Sequence, residues 1–521
     1  MRAVATRRRV SRPQAFQDRD RRPVSAVANV VGFALLCTAA GLAVCCAVEV
    51  LAGDDAVVPL AVTALLSGAV GTGLWKGTRT PDRVSAPSAF AAVGWTWIAI
   101  SGVGALPFWW SGMLPALDDA VFESVSGFTG TGATVLSPIQ GNGAGLLLWR
   151  QATQWYGGMG VIVLAVAVLP LLGVGGFELL RAESPGPTSD RLAPRVRDTA
   201  RRLWLVYVGL TVVIVGALLV SGLSPYDAVA HAMTTVSTGG FSPYDASIAA
   251  FDSVAVEAVL IVSMFAGAVS FALWWQVLRG VGRRAVAQSS ELATFVAVIL
   301  VATFFATMVL TAGDTGMAPF SALRSASFTV VSTMSTTGYA TDDFALWPAA
   351  GQLVLLALMV TGGMAGSTSG AMKLVRVQVM VAHARRELRR LLHPSAVLPV
   401  KLGGHVVPDP IVSRIVGFFV LYVVLATAGT VVLAALGADL VTGASAITSA
   451  IGAYGPGLGD VGPTTTYLNL DRPSRAVLVV YMLLGRLELF TLLLMFVAPV
   501  ESLRYRVHVR RRRPSPRAPR R

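Results

Sequence analysis

About ten apolar runs of roughly twenty residues dominate this chain, the length a helix needs to cross the hydrocarbon core of a bilayer. They fall at 26–50, 56–75, 88–108, 147–172, 203–222, 253–278, 291–312, 349–381, 411–436 and 474–499. An all-α polytopic membrane protein follows. The chain is 54% hydrophobic and 13% charged, with a mean hydropathy of +0.66, whereas soluble domains carry about 25% charged residues. Its net charge of +14 would suit a nucleic-acid binder, but the basic residues lie in blocks between the runs and at both ends. That pattern points to membrane lipid, whose anionic headgroups attract such blocks, and to no nucleic acid. Cys37, Cys45 and Cys46 all lie in the first run, which implies neither a disulfide framework nor a metal site.

The basic clusters are Arg7–Arg9 with Arg19–Arg22, Lys76–Arg83, Arg181–Arg202, Arg279–Arg284, Lys373–Lys401 and Arg504 to the end. They alternate onto one side of the membrane, which places both termini in the cytoplasm. The first run is too long, and lies too far behind a basic tail, for a cleaved signal peptide. The opposite loops hold Asp54-Asp55, Asp118-Asp119, Asp252, Asp314, Asp342-Asp343 and Asp460. These acids either concentrate cations at an outer mouth or are merely solvated.

Four semi-apolar segments of about half a bilayer length lie between pairs of runs: Asp118–Ser126, Pro225–Val236, Pro319–Ser335 and Val441–Ser449. Each leads directly into a glycine signature, Thr131-Gly132-Ala133-Thr134, Thr238-Gly239-Gly240-Phe241, Thr337-Gly338-Tyr339-Ala340 or Tyr454-Gly455-Pro456-Gly457. The last eight runs thus reduce to four copies of helix, half-helix, glycine loop, helix around one axis. The corresponding boundaries are 83–180, 181–285, 286–400 and 401–507, after two extra helices at 26–82 and between basic tails at 1–25 and 508–521. Irregular backbone at membrane depth is tolerated only where protein or a wet cavity surrounds it. Half-helix C-termini aimed at the axis favour a cation, and rings of backbone carbonyls suit a dehydrated monovalent one. No Asp or Glu stands at the four glycines, as a divalent ion would prefer.

Two further features interrupt the apolar pattern. Gly362-Gly363, Gly366 and Ser367-Thr368-Ser369-Gly370 break the run at 349–381 and suit a flexible loop better than a continuous helix. The alternative is small-residue helix packing, which does not call for three consecutive hydroxyls. In the last run Arg486 and Glu488 each cost roughly 2.5–3.5 kcal/mol at a helix centre. Two residues apart, they do not face each other and need separate partners. Glu123, His231 and Arg324 lie within the half-helices, where orienting a loop by hydrogen bonding is the expected role.

Taken together these motifs identify the chain as similar to the Trk/Ktr/HKT superfamily of potassium transporters, and to its TrkH type. The resemblance rests on Ser126–Thr134, Trp155-Tyr156-Gly157-Gly158-Met159-Gly160, Val236–Phe241, Ser335–Tyr339, Gly362–Gly370, Gly455-Pro456-Gly457 and Gly485-Arg486-Leu487-Glu488, in family order from about residue 88 onward. It implies a potassium filter built from one glycine per repeat, Gly132, Gly239, Gly338 and Gly455, within the loops Thr131–Ala133, Thr238–Gly240, Thr337–Tyr339 and Tyr454–Pro456. It implies a gate at Gly362, Gly363, Gly366, Ser367, Thr368, Ser369, Gly370 and Lys373, with Arg486 as a barrier in the permeation path. Two positions depart from the family: Ala453-Tyr454-Gly455 replaces Asn-Val-Gly, and Gly370-Ala371-Met372-Lys373 replaces Gly-Gly-Ile-Lys. The resemblance further implies a homodimer, with a TrkA-like cytoplasmic subunit carrying NAD(H) or ATP and no cofactor in this chain. A proton- or sodium-coupled symporter, with Glu123 or Glu488 essential, is the rival reading. No Ser/His/Asp, Cys/His or metal constellation supports an enzyme.

Overall fold

The computed structural model describes residues 23–78, 86–167, 192–312 and 316–487. The tail at 508–521, most of 1–25, and the predicted residues Asp314 and Glu488 fall outside them. Helices α1 (Pro23–Ala52) and α2 (Val57–Gly77) pack as an antiparallel hairpin ahead of four similar units. The first is α3 (Ala86–Trp110), α4 (Leu117–Thr129) and α5 (Ala144–Ala167). The second is α6 (Leu192–Val220), α7 (Pro225–Val236), α8 (Val254–Ala268) and α9 (Phe271–Gln276), trailed by α10 (Gly282–Gln288). In the third, α11 (Ser290–Ala312), α12 (Pro319–Met334) and α13 (Ala349–Thr361) precede a further helix, α14 (Leu374–Leu392). The fourth is α15 (Asp409–Ala435), α16 (Leu440–Gly452) and α17 (Arg472–Arg486). Between α14 and α15 a two-stranded hairpin pairs β1 (Lys401–Leu402) with β2 (His405–Val406).

Every predicted run contains helix. Among the described residues six helices are long and apolar enough to span a membrane, or seven if one bent pair counts as a span. That pair is α8 and α9, which bend by 96° where the sequence reading had one continuous span at 253–278. The bend has a tertiary cause. The amide of Met364 donates to the Ala268 carbonyl (3.0 Å) and the amide of Phe271 to the Gly366 carbonyl (3.0 Å), so a distant loop satisfies the backbone groups the break exposes. The run at 349–381 is interrupted as its glycines and hydroxyls predict: α13 stops at Thr361 and helix resumes at Leu374.

The short helices α4, α7, α12 and α16 match the four predicted half-helices to within a turn. Proline opens α7 and α12, where its missing N–H costs nothing, and Asp439 caps α16 by accepting from the amides of Val441 (2.7 Å) and Thr442 (3.1 Å). Large apolar side chains such as Leu65, Val212, Val301 and Phe304 remain exposed on the outer helix faces, where lipid takes the place of a protein core. Apart from a small cluster between α14 and α15, the interior divides in two. One cluster joins the second and third units, and the other joins the first unit, the fourth and the N-terminal hairpin.

Glu49 ties that hairpin to the first unit. Fully buried in α1, it accepts from the amides of Ala56 (3.0 Å), Gly145 (2.6 Å) and Leu146 (3.2 Å), while Asp54 accepts from Ala144 (2.7 Å). Both carboxylates therefore sit at the start of α5, the positive end of its dipole.

Candidate ion pathway

The four glycine loops close into a cycle. Each begins with the same bond, from the first amide beyond the half-helix turn to a carbonyl five residues back: Thr131 to Ser126 (2.9 Å), Gly239 to Thr234 (2.8 Å), Thr337 to Ser332 (2.9 Å) and Tyr454 to Ser449 (3.1 Å). Left-handed residues flank that position in every repeat: Gly130 and Gly132, Thr238 and Gly240, Thr336 and Gly338, Ala453 and Gly455. A Cβ placed on Gly132 would overlap the Gly239 carbonyl oxygen, one on Gly240 that of Thr337, and one on Gly338 that of Tyr454. On Gly455 it would come within 2.8 Å of the Thr131 carbonyl oxygen. Each repeat's glycine thus abuts the next repeat's carbonyl, and the fourth returns to the first.

This register corrects one assignment. The sequence reading paired Gly239 with Gly132, Gly338 and Gly455, but Gly240 is the residue with the matching left-handed backbone (φ +79°). Gly239 stands level with Thr131, Thr337 and Tyr454. Two adjacent glycines made the count ambiguous, and only the shared backbone bond resolves it.

Side chains brace each loop to its neighbour. From α5, Gln154 donates to the Gly239 carbonyl (2.7 Å) and accepts from the Phe241 amide (3.0 Å). One turn away, Arg150 pairs with Glu123 (2.6 Å), donates to the Ser242 carbonyl (2.8 Å) and lies over the Phe241 ring. Glu123 accepts in turn from Thr134 Oγ1 and the Val135 amide, both at 2.9 Å. The Tyr339 hydroxyl binds Thr234 Oγ1 (2.5 Å) and the His231 carbonyl (3.1 Å), joining the third loop to the second. The Tyr454 hydroxyl accepts from Thr333 (3.1 Å), joining the fourth to the third. Finally Tyr467 donates its amide to Thr134 (2.9 Å) and its hydroxyl to the Gly455 carbonyl (2.7 Å).

Glu123 and His231 therefore hold loop structure, His231 through Ser242 Oγ (3.2 Å). Arg324 does not: it forms a two-pronged pair with Glu257 of α8 (2.6 and 2.7 Å), fixing a half-helix to a longer helix. Sequence reasoning missed Arg150 and Gln154. Their signal was available, two polar residues four apart in an apolar run.

Above the ring a cavity of about 70 Å³ is lined by Gly132, Gly240, Gly338 and Pro456 below and by Asp245 at its side. Asp245, held by the amides of Ile139 (2.8 Å) and Gln140 (3.4 Å), is the acid that lines this mouth, and the sequence reading did not name it. Several predicted acids are engaged elsewhere: Asp118 with Arg472, Asp119 with Arg475, Asp252 with Arg324, and Asp342 with Ser325 and Trp347. Among the described residues no group of three His, Cys, Asp or Glu side chains could hold a metal ion. The oxygens at the ring are backbone oxygens.

Below the ring runs the loop 362–373. Thr368 Oγ1 donates to the Val236 carbonyl at the end of α7 (2.9 Å), and the Gly370 amide donates to Thr336 Oγ1 after α12 (2.7 Å). Gly370 also lies against the Gly452 carbonyl at the end of α16. Arg486 donates through Nη1 to the Thr368 carbonyl (2.9 Å), its Nη2 lies beneath Gly130, and neither Nη2 nor Nε has a partner. Lys373 reaches back to the carbonyls of Ser367 (3.3 Å) and Ser369, and Ser367 Oγ meets Ser369 Oγ at 2.8 Å. The predicted gating residues are thus gathered in one place, against the inner ends of all four half-helices.

The sequence profile of the TrkH family, described as cation transport proteins, matches residues 61–294 and 290–506. The chain belongs to the TrkH family. It is 35% identical over 474 residues to the Trk system potassium uptake protein TrkH of Salmonella typhimurium, covering 90% of this chain and 98% of that one. The Halomonas elongata protein of the same name is 40% identical over 402 residues, 77% of this chain and 83% of its own. The crystal structure of the potassium transporter TrkH from Vibrio parahaemolyticus superposes with a TM-score of 0.83 at 33% identity, over 90% of this chain and 98% of the other. As a TrkH-family member with multiple apolar helices, the chain is a membrane protein.

Proposed function

We propose that this protein takes up potassium across the cell membrane through the ring of loops, with loop 362–373 and Arg486 as its gate. The observation that carries the reading is the closed cycle of four glycines and four carbonyls, at Thr131, Gly239, Thr337 and Tyr454. Such a ring replaces the hydration shell of a monovalent cation with oxygen dipoles of moderate strength. The relatives from Salmonella typhimurium and Halomonas elongata are named potassium uptake proteins, which supports potassium as the cation here. The fourth loop, where Ala453-Tyr454 stands for the family's Asn-Val, is compatible with this: the Tyr454 hydroxyl bonds Thr333, and the flanking Ala453 and Gly455 keep the common left-handed backbone.

The gate reading is supported by the loop's place beneath the ring and by a fixed guanidinium charge under Gly130. The membrane potential supplies the drive, about 2.3 kcal/mol per charge per 100 mV. Helix α14 begins where the loop ends and carries Arg385, Arg389 and Arg390, so a cytoplasmic TrkA-like subunit binding NAD(H) or ATP, on a homodimer with cytoplasmic termini, would act through it.

Rubidium and sodium uptake into proteoliposomes under an inside-negative potential tests the reading. Rubidium uptake that potassium competes away and Gly338→Ser weakens is the expected result. Sodium entry at the rubidium rate in the parent protein would overturn potassium selectivity.

A further inference from the structure

A cavity of about 650 Å³ lies beside the loop, with Met364 on its wall and the exposed residues Gln288 and His405 at its rim. Glu291, in the first turn of α11, is part of its wall. This carboxylate is buried, and one of its oxygens, Oε1, accepts from the amides of Ala365 (2.8 Å) and Val375 (3.2 Å). Those amides stand on opposite sides of the Ser367–Gly370 run, so a single atom pins both ends of the loop. Hydrogen bonds to an ionised acceptor are roughly twice as strong as neutral ones. The pins to the half-helices at Val236 and Thr336, by contrast, join neutral groups. On the same wall the Ser270 hydroxyl is buried without a partner and lies 3.2 Å from where a Gly366 Cβ would be.

We infer that Glu291 is the positioning residue of the gate: it latches the loop beneath the ring, and on release the Met364–Gly366 segment moves into this cavity. A close-packed interior gives a segment no room to move unless a void adjoins it, and this void adjoins Met364. Ser270 stands ready to bond the segment's displaced backbone. The inference rests on the reading of loop 362–373 as a gate, and the test separates the two.

Full-length protein is reconstituted, and basal rubidium uptake is measured for Glu291→Ala, Glu291→Gln and a variant lacking residues 367–369. Glu291→Ala removes both bonds and raises uptake about tenfold or more, a population shift that even one charge-assisted bond lost from the closed state would produce. Glu291→Gln, which keeps one acceptor oxygen and the side-chain shape, falls between and covers the case in which the alanine variant does not fold. The rubidium-to-sodium ratio stays at the parent value, which general loosening would not preserve. A bulky methanethiosulfonate on Ser289→Cys, in the cavity wall, suppresses uptake of the Glu291→Gln protein until dithiothreitol removes it, with the parent as reagent control. If deletion raises uptake while both Glu291 variants stay at the parent level, the latch is wrong and the gate stands. If none raises it, the gate reading fails and the latch with it. Undiminished uptake after Ser289→Cys labelling overturns the cavity as the receiving space.

Discussion

The register at Gly239 and Gly240 can be decided by two alanines. At Gly240 the backbone is left-handed (φ +79°), which costs an L-residue about 1–2 kcal/mol. The added Cβ would also overlap the Thr337 carbonyl oxygen and stand 3.2 Å from the Gly338 carbonyl carbon, so the third repeat's contribution to the ring must shift. At Gly239 the Cβ meets only the end of the Gln154 side chain. Turning that amide aside forfeits a hydrogen bond or two, each worth about 0.5–1.5 kcal/mol, and moves no carbonyl of another repeat. Rubidium and sodium uptake by both variants, normalised to folded protein by size-exclusion profile, reads the difference. Gly240→Ala should lose rubidium uptake by more than tenfold and let sodium compete, because 1.4 kcal/mol is already a factor of ten. Gly239→Ala should keep the parent's ion preference with a smaller loss of rate. The reverse order, with Gly239→Ala the more damaging to ion preference, would refute the cyclic register.

Three further outcomes are expected. Arg486→Ala removes the guanidinium beneath Gly130 and raises basal rubidium uptake; unchanged or lower uptake in folded protein counts against a barrier role. Glu123→Gln leaves Arg150 buried without its counter-charge, a loss of about 3–5 kcal/mol, and should appear as a large drop in thermal stability in detergent, with Glu123→Gln/Arg150→Met less affected than the single variant. At Asp439, bonds from the Thr442 hydroxyl and the amides of Thr442 and Val441 hold the carboxyl below the usual carboxylate range. Its stabilisation is therefore complete above the unfolded value near 3.9 and fades as pH falls through the lower folded value; Asp439→Ala should flatten that acid limb of a melting-temperature profile and cost about 1 kcal/mol at neutral pH.

The elements were legible where local sequence determines them. Apolar length marked the spans, and Pro225, Pro319 and the glycine signatures bounded the half-helices. The interruption after Thr361 was legible too, since four glycines and three hydroxyls resist a continuous helix. What escaped was decided across repeats. Nothing in Ala266-Gly267-Ala268-Val269-Ser270 announces a 96° bend, because its bonding partners, Met364 and Gly366, arrive from the third repeat. Arg150 and Gln154 went unnoticed because only the packing of α5 sets them against the second loop. Arg324 lies in a half-helix as expected, yet its carboxylate partner comes from α8 and not from a loop.

The ring is assembled from one chain whose quarters are no longer copies of one another, which sets how such a pore can change. In an assembly of four identical subunits every substitution enters four times, and a single arginine beneath the filter would place four positive charges on the axis. Here the matching inner positions diverge, so Arg486 contributes one charge, and at 4 Å each unit charge acts on a cation with about 1 kcal/mol even in bulk water, more where solvent is excluded. On the proposed reading of Arg486 and loop 362–373, one charge is a barrier that a moving loop can offset, whereas four would close the pore to cations. Divergence of the repeats therefore lets block, selectivity and support be adjusted one quarter at a time.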